Sequence, residues 1–380
     1  MEAPLKVLIL SCKTGGGHDS AAGAVAERLT QMGIPCEQRD FQSFLSEKKS
    51  ERSGKLYVNV ALHIPHIFGA VYHIAKWISH PDGRSPVYLA NKKYTEPMYR
   101  YIRENGFDTV VTSHLFAAEA LTYMRRKYPD SKDIRTYLIS TDYTCQPFQD
   151  ETKPDYVFLP HKDITPEFAR AFRKDQMIPT GIPVSGTFDG DMSREEARRA
   201  LGLDPDKRSI LIMTGSMGFG KSDKLIHRFL RFLPKDVQIL FLAGNNERLK
   251  RRIRKRFGKD PRVITVDYTD KVALYMRASD ILFTKTGGLT STEAAVSGIP
   301  IVITSYIPGC ETKNAKFFLK HGMAYRYRKF WTGLPSLMRM LDDPDKRQAM
   351  IDAQKREINP NAAADICRFM AEKNREGIPV

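Results

Sequence analysis

The sequence predicts two doubly wound α/β domains in tandem. Short apolar runs alternate with helical stretches along the whole chain, which is the pattern of parallel strands wrapped by crossover helices. A length of 380 residues exceeds one comfortable core and suits two. Glycine-rich turns follow apolar runs in both halves, as they do where a strand hands over to a ligand-facing helix.

The first half opens with a strand at 6–11, the turn TGGGHDS at 14–20 and a helix from about Ser20 to Met32, where Val25, Leu29 and Met32 recur on one face. Apolar runs at 109–112, 136–140 and 156–159 supply further strands. The stretch TGIPVSGTFDGDMSREEARRALGL, 180–203, gathers Gly, Pro and Ser before a helix capped by Ser193 with acidic residues in its first turn. The domain junction is expected there, giving domains 1–188 and 189–380, with the last helix free to pack back on the first domain. A second strand series follows at 210–213, 238–243, 263–266, 280–283 and 300–304. Two such domains place a cleft between opposed strand ends, where ligands bind.

Composition narrows the class. With 27% charged and 42% apolar residues the chain reads as a soluble globular protein. Cys12, Cys36, Cys145, Cys310 and Cys367 are scattered without a CxxC pair, which argues against a disulfide framework or a thiolate zinc site and fits a reducing cytoplasm. The N-terminus enters a strand without a basic leader, so no export is expected, and no uninterrupted apolar window is long enough to span a bilayer. Net charge is +16, of which residues 1–188 carry +3 and residues 189–380 carry +13. That excess favours an anionic partner.

The most informative motif is TKTGGLTSTEA, 284–294, directly after the apolar run DILF. A strand delivering Gly287 and Gly288 into a helix starting near Thr290 turns bare N–H groups and the positive helix end toward an anion, so the turn reads as a phosphate seat. Glu293, one turn inside, has the chemistry to accept hydrogen bonds from a sugar diol. Phosphate beside a diol describes the ribosyl end of a nucleotide.

In the first half, three glycines before His18 allow close backbone approach, and the helix start favours a neutral imidazole able to act as a base; a simple turn with His18 as cap is the alternative. Gly215 to Ser222 matches GxxxxGK[ST], with Lys221 for phosphates, Ser222 for magnesium and Asp267 as an acidic strand end. The separate seat at 286–290 weighs against a triphosphatase, since two anion seats in one domain suit a diphosphate lying between loops. Asp189 and Asp191 have the DxD spacing of metal-holding sites, yet turn chemistry explains them more cheaply.

RLKRRIRKRFGKDPR, 248–262, sets Leu249, Ile253 and Phe257 on one face among nine basic side chains. It reads either as a surface helix with its apolar side in the core or as a dock for anionic lipid; nucleic acid lacks a supporting signature. Residues 56–77 read as an apolar flap, with Tyr57, Ile67, Phe68, Tyr72 and Trp77 suited to a membrane interface, and the irregular spacing of its histidines argues for an ordinary buried or interfacial role over a metal set. In YIPGCETKNAKFF, 306–318, Pro308 and Gly309 shape a turn that presents Glu311 and Asn314, either to read sugar hydroxyls or to cap the next helix.

As an ordered set, GGGH at 15–18, STD at 140–142, TGIPV at 180–184, MTGSMGFG at 213–220, TKTGGLTSTEA and PGCETKNAKFF at 308–318 resemble the monogalactosyldiacylglycerol synthases of plants and the processive diacylglycerol glucosyltransferases of bacteria. The resemblance implies a GT-B fold of two Rossmann-like domains, with UDP-sugar bound mainly by the second and the lipid acceptor by the first. It implies that Glu293 holds the ribose and that Gly287, Gly288 and Thr290 hold the diphosphate. Gly17, Gly215, Ser216, Met217, Gly218, Tyr268, Thr286, Leu289, Gly309 and Cys310 are expected to line the donor, and Glu311 and Asn314 to hold the sugar. His18 is the expected base, with Asp142 the alternative. Such enzymes invert the anomeric centre without a metal or other cofactor.

The family usually has glutamine where this chain has Cys310 and glycine where it has Asp267. The expected activity is an inverting hexosyl transfer from a UDP-sugar to diacylglycerol, by a cytoplasmic protein held peripherally on an anionic membrane and binding no nucleic acid. A UDP-sugar epimerase of the same architecture and a P-loop ATPase using Lys221 are the alternatives.

Overall fold

The computed structural model describes residues 5–12, 16–45, 79, 85–215, 222–327 and 343–376. The chain divides into two compact units, one of residues 1–185 with 308–310 and 359–380, the other of residues 186–307 with 311–358.

The first unit is built on a six-stranded parallel sheet in the order β2-β1-β3-β4-β5-β6. Its elements are β1 (Val7–Ser11), α1 (Gly16–Gln31), β2 (Cys36–Asp40), α2 (Pro86–Asn91), α3 (Thr95–Glu104), β3 (Thr109–Thr112), α4 (Leu115–Lys127), β4 (Arg135–Ile139), β5 (Tyr156–Phe158), α5 (Thr165–Phe168) and β6 (Met177–Ile178). Every residue of β1, β3 and β4 is buried, as expected of strands covered on both faces. On one face Leu8, Leu10 and Val110 meet Met98 and Ile102 of α3 and Leu121 of α4. On the other, Val7, Ile9, Tyr137 and Phe158 meet Val25 and Leu29 of α1.

The last helix, Ala362–Arg375, completes that second face by inserting Ile366, Cys367 and Met370. Asn359 pins its approach by donating Nδ2 to the Thr180 carbonyl at 2.8 Å. Gly181, at φ +102°, lies so close that an added Cβ would sit 3.1 Å from Ala362. The units thus part between Ser185 and Gly186, and residues 359–380 join the first unit.

The second unit carries another six-stranded parallel sheet, ordered β12-β11-β10-β7-β8-β9. Its elements are α6 (Arg194–Ala200), β7 (Arg208–Met213), α7 (Ser222–Phe232), β8 (Val237–Leu242), α8 (Glu247–Phe257), β9 (Val263–Val266), α9 (Val272–Ala278), β10 (Ile281–Lys285), α10 (Gly288–Val296), β11 (Ile301–Ser305), α11 (Cys310–Lys320), β12 (Tyr325–Arg326) and α12 (Pro344–Glu357). The basic helix α8 turns Leu249, Ile253 and Phe257 into the core against Ile239 and Phe241 of β8, so its apolar stripe is packing surface. Among the described residues no helix is long and apolar enough to cross a membrane.

Both sheets reverse their winding at one place, between β1 and β3 in the first unit and between β7 and β10 in the second. Loops leaving the carboxyl ends of strands at such reversals splay apart and leave a crevice for ligands.

Candidate functional site

At the reversal of the first unit, α1 starts at Gly16, four residues before the apolar periodicity begins to register, and His18 therefore lies in its first turn. The His18 Nδ1 donates to the Ser113 carbonyl at 2.6 Å, and Ser113 Oγ donates back to the His18 carbonyl at 2.9 Å. Ser113 is itself fixed by its N–H on the Leu10 carbonyl at 3.2 Å. A carbonyl only accepts, so Nδ1 carries the proton and the neutral ring keeps its lone pair on Nε2. Thr141 Oγ1 stands 3.4 Å from the same Nδ1, and the His114 ring meets His18 edge-on at 4.5 Å.

Burial lowers the His18 pKa from its ordinary value, while the charge of Asp142, the Ser113 hydrogen bond and Asp19 pull it back up. The balance favours the neutral base. His114, buried at the start of α4, accepts the Phe116 N–H at Nδ1 (3.2 Å), and burial followed by the neighbouring His18 holds its pKa well below the usual range. Asp142, in the loop after β4, accepts the Gln146 side-chain amide and acts on His18 through its charge. Gly17 shares the first turn of α1.

At the reversal of the second unit, β10 ends at Lys285 and Gly287 caps α10 without any capping side chain. The first internal bond of the helix start runs from Ser291 N–H to the Gly287 carbonyl at 3.1 Å, so the N–H groups of Gly288, Leu289 and Thr290 have no acceptor among the described residues. An added Cβ on Gly287 would meet nothing within 4 Å. Glu293 lies in the second turn, since the helix starts two residues before Thr290. No described donor reaches its carboxyl, and burial alone raises its pKa to about 7.

The remaining donor residues separate into those that face outward and those that brace the turn. Thr286, fully buried, donates Oγ1 to the Glu311 carbonyl at 2.8 Å and accepts the Asn314 Nδ2 at 3.2 Å. Asn314 is also fully buried, and its side-chain amide braces the turn. Glu311 accepts Lys285 Nζ on Oε1 and the Ile307 N–H on Oε2 at 2.8 Å, so its carboxylate is engaged before any sugar arrives. Gly215, at φ +73°, leaves room for the Lys285 stem; a Cβ there would stand 2.5 Å from Lys285 Cε. Gly309, at φ +115°, turns the chain into α11, whose first residue is the half-buried Cys310. Tyr268 stands 67% exposed after β9, the edge strand, with β8 and β7 between that strand and β10.

Beside Lys285 a cavity of about 300 Å³ opens, lined by Thr214, Ser222, Lys224, Arg228 and Tyr327 among others. The Thr214 hydroxyl is buried there without a partner among the described residues. Asp267 accepts from Arg254 at 3.0 Å and Lys250 at 3.2 Å, which lower its pKa and engage it in surface ion pairs. Asp189 and Asp191 are both exposed before α6. Ser216, Met217, Gly218 and Lys221, and the flap residues Tyr57, Ile67, Phe68, Tyr72 and Trp77, lie outside the described residues.

Sequence reasoning did not name Ser113, His114, Thr141 or Lys285. The available signal was position: each sits just past, or at, the carboxyl end of β3, β4 or β10.

Comparison with known proteins agrees with this architecture. Residues 18–184 match the family described as monogalactosyldiacylglycerol (MGDG) synthase, and residues 209–366 match the glycosyltransferase family 28 C-terminal domain. A processive diacylglycerol beta-glucosyltransferase of Staphylococcus saprophyticus is 24% identical over 368 residues, covering 96% of this chain and 91% of that protein. The enzyme of the same name from Bacillus pumilus is 23% identical over 360 residues, 92% of this chain and 90% of the other. Among solved structures, MurG of Acinetobacter baumannii superposes with a TM-score of 0.62 at 17% identity over 97% of this chain and all of that one. The glycosyltransferase of kitacinnamycin gives 0.64 at 14% over 99% and 100%. UDP-GlcNAc 2-epimerase of Neisseria meningitidis gives 0.62 at 12%, a likeness of fold alone that leaves the epimerase alternative without support of its own. The GxxxxGKS match lies inside the family 28 domain, which removes the P-loop ATPase reading. With both halves of the chain matched in order and the GT-B fold shared, this protein is a glycosyltransferase whose first half is similar to MGDG synthase and whose second half is similar to the family 28 C-terminal domain.

Proposed function

We propose that the protein transfers a hexose from a UDP-sugar to the hydroxyl of diacylglycerol, with inversion and without a metal, at the cytoplasmic face of a membrane. The observation that carries the reading is the pairing on α10 of three free N–H groups at 288–290 with an unpartnered carboxyl at Glu293. Free helix-start amides suit a diphosphate, and a carboxylate without donors suits a ribose diol. Lys224 and Arg228 on the wall of the neighbouring cavity add positive charge where UDP departs.

His18 removes the acceptor proton at Nε2. Its Nδ1–H is held by the Ser113 carbonyl and the charge of Asp142 stabilises the imidazolium as it forms. The acceptor follows from the names of the relatives, which act on diacylglycerol and span nearly the whole chain.

Product formation from UDP-glucose and UDP-galactose with diacylglycerol vesicles tests the reading. Glycolipid formed by the wild type and lost in Glu293→Ala and His18→Ala supports it; undiminished turnover in both variants refutes the assignment.

A further inference from the structure

A cavity of about 820 Å³ opens in the first unit, far from His18. It lies at the amino ends of β4, β5 and β6, where Arg135 and Tyr156 begin their strands and Gln176 precedes the third. Thr141 and Asp142 follow the opposite end of β4, so the length of that strand, roughly 13 Å, separates the two places.

The lining is cationic. Arg125, Arg135, Lys153, Arg170 and Arg173 line it together with only two carboxylates, Asp155 and Asp175. Both carboxylates are already committed. Asp155 takes a two-pronged contact from Arg125 and the Thr136 N–H at 2.7 Å, and Asp175 takes one from Arg173 at 3.1 and 3.0 Å. Lys153 Nζ reaches the Asp150 carbonyl at 3.1 Å, and among the described residues neither Lys153 nor the exposed Arg170 has an acidic partner. Arg135, buried, donates to the Lys373 carbonyl and is thereby held in place. The Arg125 Nε is buried with no hydrogen-bond partner among the described residues.

Like charges gathered in a concave wall repel one another unless an anion joins them, and they raise the local concentration of anions. The volume falls within the range of small-molecule sites, roughly 300–1,000 Å³, and the wall is concave, which favours a small ligand over a flat membrane surface. We propose that this cavity is a second anion site, binding a small molecule that carries two or more linked phosphates and is independent of the donor site.

The test is titration of inorganic tripolyphosphate into the full-length protein at low salt with UDP present at saturation, read as a shift in Tm and as Kd by calorimetry. The expected result is a rise in Tm that shrinks as salt is added, with Kd weakened at least tenfold in the Lys153→Glu/Arg170→Glu double variant. Both side chains are exposed, so the variant is expected to fold and to keep the wild-type response to UDP. Glu293→Ala is expected to keep the tripolyphosphate response, which separates this site from the donor reading even if UDP fails to bind. No tripolyphosphate response in the wild type, or an equal response in the double variant, overturns the proposal.

Discussion

The Lys285 ammonium and the Glu311 carboxylate form an ion pair that joins the end of β10 to the start of α11, 26 positions later in the chain. Each side chain is only 12% exposed. Glu311 also accepts the Ile307 N–H, and the Lys285 stem crosses Gly215, so one pair braces the turns after β7, β10 and β11. Replacing Lys285 by Met leaves Glu311 with its backbone donor but no cation. That change is expected to cost about 1–3 kcal/mol of stability in urea unfolding. Lys285→Met combined with Glu311→Met should cost less than the two single changes added together, because each single change strands a charge. Additive losses would show that the pair is not coupled.

Gly215 and Gly287 stand at comparable turns yet are glycine for different reasons. At Gly215 the backbone is left-handed and a Cβ would strike the Lys285 stem, so Gly215→Ala is expected to lower stability by about 1–3 kcal/mol. Gly287 has φ −73° and open space around it, so Gly287→Ala is expected to change stability by less than about 0.5 kcal/mol. UDP affinity of Gly287→Ala carries the information, since a methyl group there meets only a ligand. A clear loss of affinity with unchanged Tm supports a diphosphate at that turn.

How much of this was legible in the chain depended on burial. VLILS of β1 and ILFTK of β10 are apolar on both faces and announce themselves as central parallel strands. CEQRD of β2 does not, because an edge strand with no residue fully buried needs no apolar run; its register with β1, Val7 against Cys36, places it. Glu293 and Asn314 look equally suited to a sugar in sequence, but only the structure shows Asn314 spent on Thr286 and Glu293 unpartnered. The start of α1 was misplaced because glycines carry no periodic signal, although His18 still fell at the helix start.

The ownership of the last helix was left open by its sequence and has a direct consequence. Ile366 is fully buried in the first unit with Val25, Leu29 and Phe158, although it follows the whole second unit in the chain. Ile366→Ala is expected to destabilise by about 2–4 kcal/mol. Hydrogen exchange should show the loss of protection in α1 and β1 and not in β7 or β8. Loss confined to 186–358 would contradict the packing.

His18 and Asp142 can be told apart by pH. Burial lowers the His18 pKa, so the base is already neutral below its usual 6.5 and activity is expected to fall only on the acid side of that value. His18→Ala should lower kcat/KM by about 10²- to 10⁴-fold, the worth of a general base. Asp142 raises the His18 pKa, so Asp142→Asn should move the acid limb to lower pH with a smaller loss of rate. A loss as large as that of His18→Ala, without a shifted limb, would make Asp142 the base.

Glu293 gives the donor site its own pH signature. Its carboxyl is raised to about 7 by burial, against an ordinary value of 4.5, so in the free protein the folded state holds a proton that the unfolded chain releases between those limits. Stability from this group is therefore present below 4.5 and lost as pH rises through about 7. Glu293→Gln should remove that decline and leave the protein more stable than wild type at pH 8. Ribose hydroxyls donate to the ionised carboxylate, so UDP binding has the opposite sign and should weaken as pH falls through about 7. Thermal unfolding from pH 4 to 8 checks the first limb, and calorimetry of UDP-glucose, whose esterified diphosphate does not titrate from pH 6 to 8, checks the second: affinity independent of pH in the wild type, or a pH dependence retained in Glu293→Gln, would remove Glu293 from the ribose.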